Sequence, residues 1–326
     1  MNEVDLIRIC QQKGIDKGVA PKQYGITEMY SQGCLIREYA GFPCWLPLCV
    51  CADHGAGDPH VLKSEKDNDA YAMLAFSKAK KHFYDEECSK PCYHIPHPFV
   101  WYRRKHNIKR RNDANGTIAF PAHSSADVDC RFDIDKYIQF LKGLPEEMQP
   151  VSACIFSVDV LNGMHKPFIE AGIPVYTAGN ISDIRFVERY YDILSRFKYS
   201  TSNEPGSYLF YSIEMGIPFS LCGGTVSHYC HGNIDWDFGY FNLPTAFVRE
   251  TSVCIGIHTA ITPEQQNLVD RCFDDDGCIT PEQLRDVLYM AWKNRSHPYL
   301  HAINGLRRLA KRKATEIFVG KRGLWE

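Results

Sequence analysis

The stretch Tyr199–Gly223, YSTSNEPGSYLFYSIEMGIPFSLCG, decides the fold. Tyr199 and Ser200 close a β-type run. Ser202 or Asn203 stands where a helix N-cap belongs, Glu204 and Pro205 suit a first turn, and Gly216 stops the helix. Pro218-Phe219-Ser220-Leu221-Cys222 then resumes as a buried strand. Strand, loop, helix, tight turn and strand is the repeating unit of an α/β sheet. The N–H groups at such a helix start, with the hydroxyls of Ser202 and Ser207, form an anion site, and Gly206 leaves room for a ligand against the backbone. The same residues equally suit an ordinary capped helix.

Upstream, Thr117–Phe120 reads as a strand running into Pro121-Ala122-His123-Ser124-Ser125, and Ile134–Leu144 as a helix. Val151–Val158 is a strand, His165–Ala171 a helix, and Gly172–Thr177 a turn and strand that ends in Ala178-Gly179-Asn180. Ile184–Phe197 is a helix with Ile184, Val187, Tyr191 and Leu194 on one face. This alternation predicts a parallel, doubly wound sheet with the loops 121–125, 178–180 and 201–207 on one edge.

The first half is less regular. Cys44–Cys51 reads as a buried strand that ends in the polar, glycine-rich Asp53-His54-Gly55-Ala56-Gly57-Asp58-Pro59. Ala70–Tyr84 has helical spacing, and Cys92–Pro98 is a short extended piece. Trp101–Gly116, WYRRKHNIKRRNDANG, is basic and ends in turn residues, so it reads as a solvated interdomain linker. In the tail, Thr262-Pro263-Glu264-Gln265 and Thr280-Pro281-Glu282-Gln283 start two helices alike, and a basic helix runs from about His301 to Val319. The domains expected are 1–112, 113–300 and a basic helix over 301–326.

The Ser/Thr-Asn-x-x-Gly-Ser-x-x-Tyr-like loop followed by a Gly-x-Pro turn resembles the donor-nucleotide loop of GT-B glycosyltransferases, in particular bacterial enzymes that build capsule, lipopolysaccharide or teichoic polymers. The resemblance covers the second half fairly well and the first half thinly. It implies two Rossmann-like doubly wound domains with the site in the cleft between them. The implied activity is metal-independent sugar transfer, without a cofactor, from a CMP-, UDP- or GDP-sugar to a glycan or lipid-linked glycan. In the resembling enzymes an acidic-Gly or His-Gly pair in the first domain holds the base, so Asp53 and His54 are both candidates. A His-Pro in the related sialyl- and Kdo-type enzymes contacts the nucleotide phosphate. Here the order is Pro-Ala-His-Ser, which leaves the role of His123, beside Ser124, open. Gly179 and Asn180 look like the loop that cups base or ribose, and Ser202, Asn203, Gly206 and Ser207 would hold the phosphates. A CDP-polyol phosphotransferase of the teichoic-acid type resembles the same architecture. A nucleotide-sugar epimerase and a non-catalytic glycan-binding paralogue are the remaining alternatives.

Composition narrows the field. The chain has 326 residues, 44% of them hydrophobic, and a net charge of −2, which argues against a general nucleic-acid binder. No run is long enough to span a bilayer, and MNEVDLIRICQQKG lacks a signal-peptide core, so a cytoplasmic location is expected, with peripheral inner-membrane contact through the basic final helix. The 14 cysteines lack zinc-ribbon spacing, so neither disulfides nor a structural zinc is expected. None of the Asp-x-Asp pairs (Asp127/Asp129, Asp133/Asp135, Asp235/Asp237, Asp274/Asp276) follows an apolar strand, so they read as caps and turns. With Gly277 at the sixth place of a calcium loop, Cys272 and Gln283 replace two carboxylates, which excludes calcium. No P-loop, Gly-x-Gly-x-x-Gly or Gly-x-Ser-x-Gly motif is present.

Overall fold

The computed structural model describes residues 1–11, 16–57, 60–295 and 297–319, with side chains to 314. Asp58 and Pro59 of the first glycine-rich loop, and residues 320–326 of the expected final segment, lie outside the described residues.

The chain is a mixed α/β protein whose described residues form two parallel sheets and a small antiparallel one. The strands are β1 (Cys51–Ala52), β2 (Met73–Ala75), β3 (Cys92–His94), β4 (Thr117–Ala119), β5 (Val128–Arg131), β6 (Val151–Cys154), β7 (Val175–Tyr176), β8 (Tyr199–Ser202), β9 (Phe219–Leu221), β10 (Ser227–Cys230) and β11 (Gly239–Phe241). The first sheet runs β1-β2-β3, all parallel. The second runs β7-β6-β4-β8-β9, also parallel throughout. From β4 the chain steps outward to β6 and β7, then returns to the other side of β4 with β8. The carboxyl ends of β4 and β8 therefore flank a topological switch point, where open α/β sheets open a crevice. The third sheet, β11-β10-β5, is antiparallel.

The second parallel sheet follows the sequence reading, except that the strand expected over Val151–Val158 stops at Cys154 and Ser157–Leu161 is a helix; the antiparallel strands β5, β10 and β11 lie outside that reading. Ile134–Lys142 is capped by Asp133, whose carboxylate accepts from Lys136 N, and Phe186–Leu194 is helical. Thr262 and Thr280 each form a capping box with a proline in the first turn. Because the sheet is parallel, the loops after β4, β7 and β8 all leave from its carboxyl edge, as expected.

Four further readings need correction. Cys44–Val50 is not a strand; β1 begins only at Cys51. Ala70–Tyr84 is not one helix, because Met73–Ala75 is the central strand β2 and the helix Lys78–Glu87 starts after the cap Ser77. The run Ala70–Phe76 is buried on both faces apart from the half-buried Tyr71, which removes the alternation that marks a strand. Trp101–Gly116 is not a bare linker. Its first part completes the helix Pro98–Lys105, Arg103 pairs bidentately with Glu214 at 2.5 and 2.6 Å, and Arg104 reaches Glu214 and Asp275. Finally, Gly206 rather than Ser202 or Asn203 occupies the N-cap of the helix Ser207–Glu214.

The core crosses the expected domain boundaries. Leu6, Ile9 and Cys10 of the first helix pack with Val151, Ala153 and Val175 of the second sheet. Leu284, Val287, Leu288 and Ala291, from the helix Pro281–Lys293, pack with Val50, Leu74 and Ile95 around the first sheet. Between them a single aromatic cluster holds Phe99, Phe120, Tyr190, Tyr211, Phe219 and Phe273, with Phe99 stacked on Tyr211 at 4.9 Å. Burying each such ring contributes about 1.5–3 kcal/mol, so the interior between the two parallel sheets is tightly joined. Among the described residues, no helix is long and apolar enough to cross a membrane.

Candidate functional site

The loop after β1 meets the start of the helix Ser207–Glu214. Ala56 N donates to Ser207 Oγ at 2.8 Å, and a Cβ at Gly55 would lie 2.8 Å from the same oxygen. Gly57, at φ +88°, lies against the Phe210 ring with no space for a side chain. The Gly55-Ala56-Gly57 backbone is thus pressed onto the helix start, an approach only glycine permits at the two outer positions.

His97 holds this loop from below. It is buried among the rings of Phe76, Phe99, Tyr211 and Phe273. Its Nδ1 accepts from Phe99 N at 3.2 Å, which leaves Nε2 as the protonated nitrogen, and Nε2 donates to Gly55 O at 3.0 Å. Tyr211 Oη lies 3.2 Å from the same nitrogen. Burial holds the imidazole neutral, with its pKa lowered to about 4. Nothing in the sequence marks His97 as more than a residue in an extended piece.

Asp53 and His54 part company in the structure. Asp53 is buried, with its carboxylate 3.4 Å from Lys80 Nζ and accepting from its neighbour His54 N at 2.7 Å. Lys80 is also buried and lies 3.0 Å from Glu65. His54 is exposed.

At the carboxyl end of β4, His123 is exposed and stacks on Phe156 at 4.4 Å. Ser124 is buried, its N donating to Asp159 Oδ2 at 3.0 Å and its Oγ accepting from Cys130 N at 3.2 Å. Burial pushes the Asp159 carboxyl up. Asn203, after β8, ties the two strand ends together by accepting from Ala122 N at 2.8 Å. Its Nδ2 is buried and has no hydrogen-bond partner among the described residues. Such a donor costs about 1–3 kcal/mol unless something accepts from it.

Other expected residues are committed elsewhere. The buried Ser202 hydroxyl accepts from Glu204 N and donates to Tyr208 Oη, both at 3.0 Å, and Tyr208 in turn donates to Glu204 O at 2.8 Å. Gly206 has extended backbone, φ −164°, so positive φ is not its reason; a Cβ there would sit 2.7 Å from the Tyr208 ring. Gly179, at φ +92°, is closed off by Ile9 O and Arg189. Asn180 donates from N to Ile9 O and from Nδ2 to Cys10 O, both at 3.1 Å. The end of the N-terminal helix therefore packs onto the loop after β7 at these two residues.

A cleft of about 580 Å³ lies between Tyr102, Lys109, Arg111, Asp192 and Arg196. Arg111 and Arg196 precede β4 and β8, so this cleft is at the amino edge of the sheet, away from the switch point. Two of its cations, Arg196 and Arg111, pair with Asp192.

No protein-family model matches the chain. No curated protein matches it either. Among solved structures it is similar to a chain titled "Glycosylation Associate Protein (Gap123) complex from Streptococcus agalactiae", at 13% identity and a TM-score of 0.29, over 74% of this chain and 44% of that one. The chain thus spans less than half the length of that neighbour, and so loose a superposition carries no argument about activity.

Proposed function

We propose that this chain is a glycosyltransferase that moves a sugar from a nucleotide-activated donor to a glycan or lipid-linked glycan. Its donor phosphates would lie between the loop after β4 and the helix start at Ser207. The observation that carries this reading is the contact between the loop after β1 and that helix at the switch point, through Ala56 N and Ser207 Oγ at 2.8 Å. It brings the expected acceptor-side loop and the expected donor-side loop to one place. The unpartnered Asn203 Nδ2 supports it as a donor awaiting an oxygen.

In the proposed reaction His54 takes the acceptor hydroxyl proton, because it is exposed whereas Asp53 is buried against Lys80. The acceptor oxygen bonds to the anomeric carbon as the bond from that carbon to the donor phosphate breaks. The electron pair leaves with the nucleotide, whose negative charge the N–H groups of the helix start stabilise. His97 acts as a positioning residue for Gly55. A lipid-linked acceptor would approach past the exposed Tyr299, Leu300, Ile303 and Leu306 on the basic final helix.

A thermal-shift screen with CMP, CDP, UDP and GDP identifies the nucleotide; at a hundred times Kd, binding adds about 2.7 kcal/mol. With the matching donor, His54→Ala should lose transfer while still binding the nucleotide. Full activity in His54→Ala would remove His54 as the base, and no shift with any nucleotide would remove the reading altogether.

A further inference from the structure

Cys130, Glu204 and His228 come from three separate segments and converge beside the switch point. Their ligand atoms (Sγ, a carboxylate oxygen and a ring nitrogen) all lie within 4.8 Å of one another. The convergence is built into the fold. Cys130 on β5 and His228 on β10 are direct partners across the antiparallel ladder, so their side chains share a face. Glu204 follows β8 and is held there by Ser202 Oγ, which accepts from its N, and by Tyr208 Oη, which donates to its carbonyl. His228 is buried and its Nε2 is 2.6 Å from Glu204 Oε1. Burial disfavours the Cys130 thiolate, and the nearby Glu204, Asp159 and Asp129 carboxylates add to this.

We propose that Cys130, Glu204 and His228 bind a divalent cation of the zinc class. One thiol, one imidazole and one carboxylate make the mixed S/N/O set that a borderline-soft ion prefers. Three protein ligands leave one tetrahedral position for water or a ligand oxygen. Bonds of about 2.0–2.3 Å place tetrahedral ligands roughly 3.3–3.8 Å apart, so the His228–Glu204 hydrogen bond opens by about 1 Å as the ion enters. Binding forms metal–sulfur, metal–nitrogen and metal–oxygen bonds. The Cys130 S–H bond breaks with release of its proton to solvent, and the proton shared at His228 Nε2 gives way to one on Nδ1. The ion would also offset a charge problem, since Asp159 and Glu204 place two carboxylates beside the proposed phosphate site. Its binding requires no nucleotide, so failure of either reading leaves the other to be tested. The resemblance implies metal-independent transfer, and the zinc-ribbon and calcium-loop spacings concern only residues near one another in sequence, whereas this set spans positions 130 to 228.

The test uses the full chain, stripped with a chelator and titrated with Co²⁺, then Zn²⁺. The expected result is a single bound Co²⁺ with a thiolate-to-cobalt charge-transfer band, displaced by Zn²⁺. X-ray absorption of the zinc-loaded chain should show one sulfur with nitrogen and oxygen neighbours. Cys130→Ser should abolish the band. His228→Gln and Glu204→Gln should weaken binding beyond the 10–100-fold typical of losing a supporting group. Cys88→Ser should bind as the wild type does. Absence of stoichiometric Co²⁺, a band that survives Cys130→Ser, or a shell without sulfur would each overturn the proposal. The absorption measurement needs only wild-type protein, so it decides the matter even if the variants misfold.

Discussion

Acidification should release the loop after β1 through His97. The ring is enclosed by Phe76, Phe99, Tyr211 and Phe273, and its Nδ1 accepts from Phe99 N. A second ring proton would turn that acceptor into a donor facing another donor, in surroundings that disfavour charge. The unfolded chain takes up this proton near pH 6.5, whereas burial delays it to about 4 in the folded state. The folded pKa is the lower one, so the stability from neutral His97 is complete above pH 6.5 and is lost as the pH falls toward 4. At about 1.4 kcal/mol per pH unit, the loss comes to about 3 kcal/mol. His97→Gln is the matched control, since glutamine can donate to Gly55 O and accept from Phe99 N without titrating. Urea unfolding of both proteins across this range separates the His97 effect from carboxylates common to both. The expected outcome is a wild-type curve that falls about 3 kcal/mol more steeply than that of His97→Gln. Parallel curves would refute the reasoning.

Glu65 should act in the opposite direction. Burial raises its pKa to about 7, and Oε1 has no partner among the described residues. Its folded pKa lies above the ordinary 4.5, so stability is complete below that value and declines as the pH rises toward 7; Glu65→Gln should remove this decline, and an unchanged pH profile in the variant would count against it. Gly206→Ala should destabilise by about 1–3 kcal/mol through overpacking against Tyr208; an unchanged denaturation midpoint would mean that Ser202 and Glu204 do not fix that ring. Ser207→Ala leaves the buried Ala56 N–H without its acceptor and should cost about 1–3 kcal/mol, read in the same unfolding assay, and no loss would detach the two loops.

The legibility of the fold follows from where its constraints lie along the chain. Along the second parallel sheet the strands and helices alternate, with a turn or cap within a few residues of most ends, so local signals such as Asp133 and Gly216 suffice, as Thr262 and Thr280 do in the tail. The first sheet was harder to read because Ala70–Phe76 is buried on both faces and shows no period. The small antiparallel sheet left no trace, since Val-Asp-Cys-Arg of β5 is polar and pairs with a strand about a hundred residues later. The same separation hid Cys130, Glu204 and His228 as a group. At the candidate site the sequence marked Ser207 and the Asp53–Gly57 loop, but it could not show that Ser202 is clasped by Tyr208 or that the N-terminal helix covers Gly179 and Asn180.

The central claim is that a nucleotide binds at the carboxyl edge of β4 and β8, against the loop after β1. Hydrogen exchange of the full chain with and without the stabilising nucleotide locates the site directly. The account predicts slowed exchange in residues 53–57, 121–125 and 203–208 together. Protection confined to the amino-edge cleft around Arg111 and Arg196, or to the loop 178–180, would contradict it.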